Sequence, residues 1–143
     1  MDFFSAAEIV SSGLGAERTL MNTTSSNLAN AQTTRTEEGG PYKRIDPVFE
    51  TRATSFEAAL GQAGGAHAQG VQVATIAKDE RAPRMVYDPG HPDANPQGYV
   101  AMPNVNMVEE MVNMVTASRA YEAGVHAMST LSNMAQRALG IGK

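Results

Sequence analysis

Residues that could carry out catalysis or bind a metal are few and scattered in this sequence. The three histidines, His67, His91 and His126, each stand alone, without a second histidine at the spacing of a ligand pair. There is no cysteine, which removes disulfides, thiolate metal sites and a cysteine nucleophile. No Gly-x-Ser-x-Gly motif occurs, and the glycines beside Leu14 lack the third glycine of a dinucleotide-binding loop. We therefore expect no catalytic, cofactor-binding or metal site.

The charged residues of the last third indicate local electrostatics. Glu109 and Glu110 are adjacent, so on a helix they point about 100° apart and cannot act as a pair on one substrate. Their position favours the interaction of negative charge with a helix N-terminus. Arg119 and Glu122 lie near Tyr121, and we interpret them as a solvated or inter-subunit ion pair.

The composition indicates a chain that buries its apolar surface against other subunits. Of 143 residues, 42% are hydrophobic, but Ala occupies 22 positions and Met 9. Leu, Ile, Val and Phe together contribute about 17%, below the roughly 20% expected of a chain with its own core. A net charge of -4 is too small for a self-repelling disordered chain, and the lack of a basic cluster argues against nucleic-acid binding.

Neither a membrane span nor a secretory signal is expected. No run of about 18 apolar residues occurs. The first residues lack a basic region followed by a long apolar region, so we expect no cleaved signal peptide.

The N-terminal segment is predicted to be a long helix with a coiled-coil repeat. Ser5 and Glu8 have the spacing of a capping box, although the helix could also begin at Asp2. Intervals of four and three residues alternate along one stripe: Phe3, Ala7, Val10, Leu14, Glu17, Met21, Thr24, Leu28 and Ala31. Glu17 and Thr24 interrupt the apolar seam, so we expect this helix to depend on partners.

The middle of the chain is predicted to form at most a small β module. Turn residues lie at 37–41. Three strands are predicted: 44–50, 71–78 and 84–87. Pro47 places the first strand at a sheet edge. We interpret 61–70 as a mobile loop of small and polar residues, and 88–98 as a proline-rich extended loop.

The strongest pattern is a C-terminal helix from about 105 to about 139, roughly 50 Å long. Asn106 is its predicted N-cap and Gly140 its stop. One stripe alternates intervals of four and three: Met107, Met111, Met114, Ser118, Tyr121, Val125, Met128, Ser132, Ala135 and Leu139. A second stripe lies beside it: Val105, Val108, Val112 and Val115. One partner helix cannot cover both stripes.

The predicted fold is mainly α, with long N- and C-terminal helices in a coiled-coil-like pair and a small β-rich or irregular insert. A discontinuous helical domain would comprise 1–33 and 104–143, and the middle module 34–103. The residues expected to pack between subunits are Leu14, Met21, Leu28, Met111, Met114, Tyr121, Val125, Met128 and Leu139.

Several stretches resemble bacterial flagellar axial proteins. The stretch 27–34 is similar to the N-L-A-N-x-x-T signature that ends their first helix, and 38–44, 98–112 and 117–123 resemble proximal rod proteins of the FlgC family. The matching residues are Asn27, Leu28, Ala29, Asn30, Thr33, Pro103, Asn104, Arg119, Ala120, Tyr121 and Glu122. Gly124 departs from the family pattern, which has Asn there, and indicates a bend or a close helix approach.

The resemblance implies a structural, non-enzymatic subunit of the flagellar basal-body rod. It implies that both termini form a helical inner domain around the axial channel, with the middle module outside. The expected partners are copies of the chain, other rod proteins, and the basal-body base with its export apparatus. The expected location is the rod in the periplasmic space, reached through the flagellar type III system.

The residues by themselves leave two other classes of protein possible. A soluble helical-hairpin adaptor or export chaperone would have the same stripes but would form a stable, discrete dimer. A small hydrolase has only unpaired Ser, His and Asp residues in its favour, and its turnover would have to disappear with His91→Ala.

Overall fold

In the described part of the chain, one long helix precedes two small sheets and another follows them. The computed structural model describes residues 3–52 and 69–141. The elements, in chain order, are α1 (Phe3–Ala29), β1 (Ile45–Thr51), β2 (Val71–Lys78), β3 (Arg84–Tyr87), β4 (Tyr99–Met102) and α2 (Met107–Ile141). β1 pairs with β2 and β3 with β4, in two separate antiparallel sheets. Two terminal helices with a small β middle are thus confirmed, and their coiled-coil pairing stays a prediction.

The beginning of α1 corrects one prediction. The helix is already formed at Phe3, so Ser5 lies inside it and is not an N-cap. Asp2, the other predicted start, lies outside the described residues. At its other end α1 stops at Ala29, followed by a turn in which the Thr33 amide donates to the Asn30 carbonyl at 3.0 Å.

Of the two predicted ends of α2, the structure confirms the first and contradicts the second. The predicted N-cap is confirmed, because Oδ1 of Asn106 accepts the amide of Val108 at 3.1 Å. The predicted stop at Gly140 is wrong, since α2 runs through Gly140 to Ile141. A stop glycine ends a helix by adopting a positive φ, and Gly140 does not have one.

The β1–β2 hairpin lies along α1 and is held at both ends. At one end the amide of Val71 donates to Oγ of Ser12 at 3.1 Å, and Arg52 pairs with Glu8 at 2.7 Å. At the other end β1 begins beside Asn27. Both strands are edge strands, as predicted from Pro47, and the register shifts between Val48 and Phe49. The predicted loop 61–70 lies mostly outside the described residues.

The second hairpin differs from the sequence prediction. Segment 88–98 was expected to be extended, but it folds into a compact connection in which the Asp88 amide donates to the Gly98 carbonyl at 2.9 Å. Oδ1 of Asn95 accepts two backbone amides within this loop, and Gly98 has a φ of 81°. These local bonds favour a tight turn over an extended chain. They also create β4, which the sequence analysis did not predict.

The apolar core within one chain is thin. Among the described residues, the buried apolar side chains are mostly small: Ala16, Ala31, Val100, Val105 and Ala117. The largest fully buried side chains are Glu110, Val100, Asn27 and Pro103. Neither described helix is long and apolar enough to cross a bilayer. A core with so little aliphatic volume contributes little stability by itself.

Gly124 marks a close approach between the helices. A Cβ at this position would lie 2.8 Å from Cδ2 and 3.3 Å from Cγ of Leu14. Because Gly124 faces Leu14 while Glu110 faces Asn27, the two helices run antiparallel. Of the two alternatives from the sequence, the structure therefore supports the close approach.

We expect Gly124→Val to destabilise the helix pair by about 1–3 kcal/mol, because the added Cβ and its two methyl groups must displace Leu14. Urea unfolding followed by far-ultraviolet circular dichroism measures the loss. Gly13→Val is the matched control, since a Cβ at Gly13 meets no atom within 4 Å. Adding Leu14→Ala to Gly124→Val should restore part of the stability. Equal effects at both glycines would contradict the close approach.

Candidate functional site

A cluster of hydrogen-bonded side chains joins the end of α1, the start of β1 and the first turn of α2. It consists of Asn27, Tyr42, Arg44 and Glu110, and is called the polar cluster below. Glu110 is 0% exposed and Asn27 is 1% exposed. Buried polar side chains of this kind are destabilising unless each of them finds a partner.

Asn27 uses both ends of its amide. Its Oδ1 accepts the amide of Ile45 at 2.9 Å and the hydroxyl of Tyr42 at 3.0 Å. Its Nδ2 donates to the Ile45 carbonyl at 2.8 Å and to Oε2 of Glu110 at 3.2 Å. Because the amide of Ile45 can only donate and its carbonyl can only accept, the orientation of the Asn27 side chain follows from the backbone.

Glu110 forms a buried ion pair with Arg44. Nε of Arg44 donates to Oε1 of Glu110 at 2.6 Å, and a second guanidinium nitrogen donates to Asp46 at 2.6 Å. Burial by itself would lower the pKa of Arg44, but the bonds to Asp46 and Glu110 outweigh burial and raise it above the usual range. The guanidinium therefore stays charged, and removing either carboxylate would leave a cationic donor short of an acceptor.

Asn27 and Asn30, the two asparagines of the signature at the end of α1, have different roles. Asn30 acts locally: its Nδ2 donates to the Ser26 carbonyl at 2.9 Å, and Thr33 donates to its Oδ1 at 3.2 Å. Asn27 binds the backbone of Ile45, far along the chain. Sequence reasoning missed Glu110, which lies in the first turn of α2 as expected but is buried against Arg44 instead of exposed.

The two histidines in the described part of the chain, His91 and His126, lie in separate elements. Nδ1 of His91 accepts the amide of Asp93 at 3.1 Å, and Asp93 in turn binds Thr34 at 2.8 Å and Arg35, tying the loop between β3 and β4 to the end of α1. His126 is exposed on α2, and His67 lies outside the described residues. Within 3–52 and 69–141, no three His, Asp or Glu side chains are grouped as metal ligands would be.

The side of α2 that packs on α1 is not the stripe that the sequence singled out. Besides Asn113, Ser118 and Ala120, the half-buried or buried positions follow intervals of four and three: Glu110, Met114, Ala117, Tyr121, Gly124, Met128, Leu131 and Ala135. These positions are called the α2 seam below. The predicted stripe shares Met114, Tyr121, Met128 and Ala135 with this seam. Its other apolar members are exposed: Met107, Met111, Val125 and Leu139.

A second set of α2 side chains is also uncovered. Val108, Val112 and Val115 are exposed, with Val108 at 70%, whereas Val105 is buried before the helix begins. Together with Met107 and Met111 they form an apolar surface on the first three turns of α2, called the α2 outer face below. An exposed apolar patch of this kind is typical of an interaction surface.

The other predicted packing and motif residues lie around these two surfaces. Leu14, Met21 and Leu28 are half-buried on α1, as are Thr33, Asn104 and Ala120 elsewhere, while Pro103 is buried and Ala29 exposed. Arg119 and Glu122 are both exposed, and no ion pair joins them in the described part of the chain.

The N-terminal half of α1 and the C-terminal half of α2 form an open apolar groove. One part is lined by Ala6, Ile9, Val10, Ala127, Thr130, Leu131 and Met134. A neighbouring part is lined by Phe3, Phe4, Met134, Ala135, Ala138 and Leu139. The molecule thus has uncovered apolar surface at both ends of the helix pair.

Comparison with known families identifies the class to which this arrangement belongs. The profile described as "Flagella basal body rod protein" matches residues 8–35, most of α1 and the turn after it. The profile described as "Flagellar basal body rod FlgEFG protein C-terminal" matches residues 97–141, which comprise β4 and α2. Both helices that build the seam are therefore those of flagellar rod proteins.

Full-length relatives specify the family within this class. The flagellar basal-body rod protein FlgC of Bacillus subtilis is 40% identical over 100% of both chains. FlgC of Borreliella burgdorferi is 39% identical over 99% of this chain and 98% of its own, and FlgC of Salmonella typhimurium 39% identical over 95% of both. The chain belongs to the FlgC family of flagellar basal-body rod proteins.

Proposed function

We propose that this chain is a structural, non-enzymatic subunit of the bacterial flagellar basal-body rod. It assembles with copies of itself and with other rod proteins into a helical shaft that transmits torque and encloses the export channel. Family membership supports this role, since the relatives that match along their whole length are named basal-body rod proteins.

The main structural support for this role is the uncovered apolar surface of α2. The α2 outer face comprises Met107, Val108, Met111, Val112 and Val115, and α1 leaves all five exposed. The core within one chain is too thin to account for a 35-residue helix by itself. Apolar surface on more than one side of a subunit suits heterologous contacts, which build open helical assemblies when they do not close into a ring.

The packing between subunits is proposed to use residues of the predicted stripes. Met111, Val125 and Leu139 are exposed in the single chain and would contact neighbours directly. The remaining members are half-buried and would be shared between the α1–α2 contact and the neighbours: Leu14, Met21, Leu28, Met114, Tyr121 and Met128. The intervals of four and three along both helices support coiled-coil packing.

The division into domains follows the helices. Residues 1–33 and 104–143 would form the inner helical domain around the channel, and 34–103 the outer module. The polar cluster supports this division, because Arg44 and Ile45 attach the base of the module to both helices at one end of the pair.

The proposed location is the rod in the periplasmic space, above the basal-body base and the export apparatus. The chain would reach it unfolded through the flagellar type III system. A thin core suits such a route, because little apolar packing has to be undone or delayed before export. Nucleic acid and small-molecule substrates have no part in this function.

Deletion of the gene followed by complementation tests the proposal. We expect the deletion strain to lose motility and to form basal bodies without a complete rod. The complemented strain should regain motility, and a cryo-EM map of its purified basal bodies should contain α1 and α2 within the rod wall. A motile deletion strain, or basal bodies that lack this chain, would refute the rod function. A stable dimer in solution that never enters basal bodies would favour a helical-hairpin adaptor or export chaperone.

A further inference from the structure

The polar cluster occupies a position in the helix pair where an apolar side chain would be expected. Glu110 is the first member of the α2 seam, whose other positions are apolar or small. Its carboxylate is nevertheless fully buried and accepts from Arg44 and Asn27 at 2.6 and 3.2 Å. A buried ion pair contributes little net stability when compared with well-packed apolar side chains. Its presence in the seam therefore calls for a role other than stability.

Except at the Leu14–Gly124 contact, the apolar part of the seam determines the register of the two helices only weakly. Both helices repeat at intervals of four and three, so a shift of seven residues again places one seam against the other. The partner of Leu14 would then change from Gly124 to Ala117 or Leu131, which are also seam positions. A Cβ against Leu14 would clash, so the Leu14–Gly124 contact opposes this shift as long as the Leu14 side chain is present.

The polar cluster cannot shift in this way. A shift by seven residues moves Glu110 about 10 Å along α1, away from Asn27 and Arg44. Asn27 cannot follow, because its amide is bound to the amide and the carbonyl of Ile45. The carboxylate would then be buried without a donor, and Arg44 would keep only Asp46.

We infer that the bonds of Glu110 to Arg44 and Asn27 set the register of α2 on α1. The cluster excludes shifted pairings that the rest of the seam would tolerate once the Leu14 side chain is removed, as a single buried polar residue does in coiled coils. The register in turn fixes the position of the α2 outer face relative to the β1–β2 hairpin, whose first strand is bound to Asn27 at Ile45. The inference concerns the folded chain alone and does not depend on the rod function.

The absence of cysteine allows register to be measured by disulfide formation in the full-length chain. Leu14→Cys is combined in turn with Gly124→Cys, which reports the observed register, and with Ala117→Cys or Leu131→Cys, which report shifts by one repeat. Each pair is placed in the native background, in Arg44→Leu with Glu110→Leu, and in Glu109→Leu. The last is the matched control, because it removes an exposed carboxylate one residue away.

In the native background and in Glu109→Leu, the pair at 14 and 124 should form a disulfide at least about tenfold more efficiently than either shifted pair. In the double leucine variant this preference should fall below about threefold, while the helical circular dichroism signal is kept. The inference is overturned if the three cysteine pairs react equally in the native background. It is also overturned if the double leucine variant keeps the preference for the pair at 14 and 124. Loss of helical signal in the double variant would also overturn it, because the cluster would then act on stability.

Discussion

Asn27→Asp is expected to prevent the helix pair from forming at neutral pH, although it replaces only the NH2 group of the side chain by an oxygen. The nitrogen that now donates to Glu110 at 3.2 Å and to the Ile45 carbonyl at 2.8 Å would become a carboxylate oxygen facing two acceptors. The site is fully buried, so solvent cannot screen the two negative charges. We expect a loss of about 3 kcal/mol or more in folding free energy.

This loss should depend on pH in a defined direction. The neighbouring carboxylate and burial both raise the pKa of the new carboxyl in the folded chain above its unfolded value. The folded chain then binds more protons than the unfolded chain, so the loss is small below about pH 4 and grows as the pH rises. Urea unfolding at a series of pH values, relative to the unsubstituted chain, measures this slope.

Asn22→Asp is the matched control for this substitution. Asn22 lies on the same helix, but its side chain is exposed and makes no hydrogen bond in the described structure. Its replacement should change stability by less than about 0.5 kcal/mol. Equal effects at positions 22 and 27, or a loss at position 27 that does not vary with pH, would contradict the geometry of the polar cluster.

Val125→Asp is expected to abolish motility while leaving the single chain folded. Val125 is 44% exposed and lies beside the α2 seam, so a carboxylate there can stay hydrated in the free subunit. If neighbouring subunits cover this side chain, the buried carboxylate costs a few kcal/mol at every subunit of the assembly. We expect normal circular dichroism of the purified chain and at least a tenfold reduction of the chain in purified basal bodies.

Glu122→Gln is the control for Val125→Asp. Glu122 is exposed on α2, off the predicted stripe, and we expect that variant to assemble and swim almost normally. The export of both variants is measured separately, so that a block in secretion is not mistaken for a defect in packing. Rods that form normally with Val125→Asp would show that this part of α2 is not an interface between subunits.

The sequence alone determined the local elements of this protein and its family. The strands Val71–Lys78 and Arg84–Tyr87 lie where apolar alternation predicted them, and Asn106 caps α2 as its spacing indicated. These features depend on neighbouring residues, whose side-chain periodicity and cap chemistry act within a few positions. The resemblance of four stretches to flagellar axial proteins was likewise readable without coordinates.

Tertiary structure decided which face of α2 meets α1. The predicted stripe follows the uninterrupted intervals of four and three that begin at Met107, and it therefore contains Val125 and not Gly124. The seam instead uses Glu110, Ala117 and Gly124, because small side chains let the helices approach and Glu110 finds donors inside the contact. A helix with two apolar stripes has several possible seams, and its own periodicity cannot choose among them.

The partners of Glu110 also depend on tertiary structure. Arg44 is 66 positions away in the chain and Asn27 is 83 positions away. The helix dipole alone can explain an acidic residue in the first turn of a helix. The type and position of Glu110 therefore do not indicate that it is buried. Only the folding of β1 against the end of α1 brings the two donors to one place, and this long-range geometry makes a buried carboxylate possible.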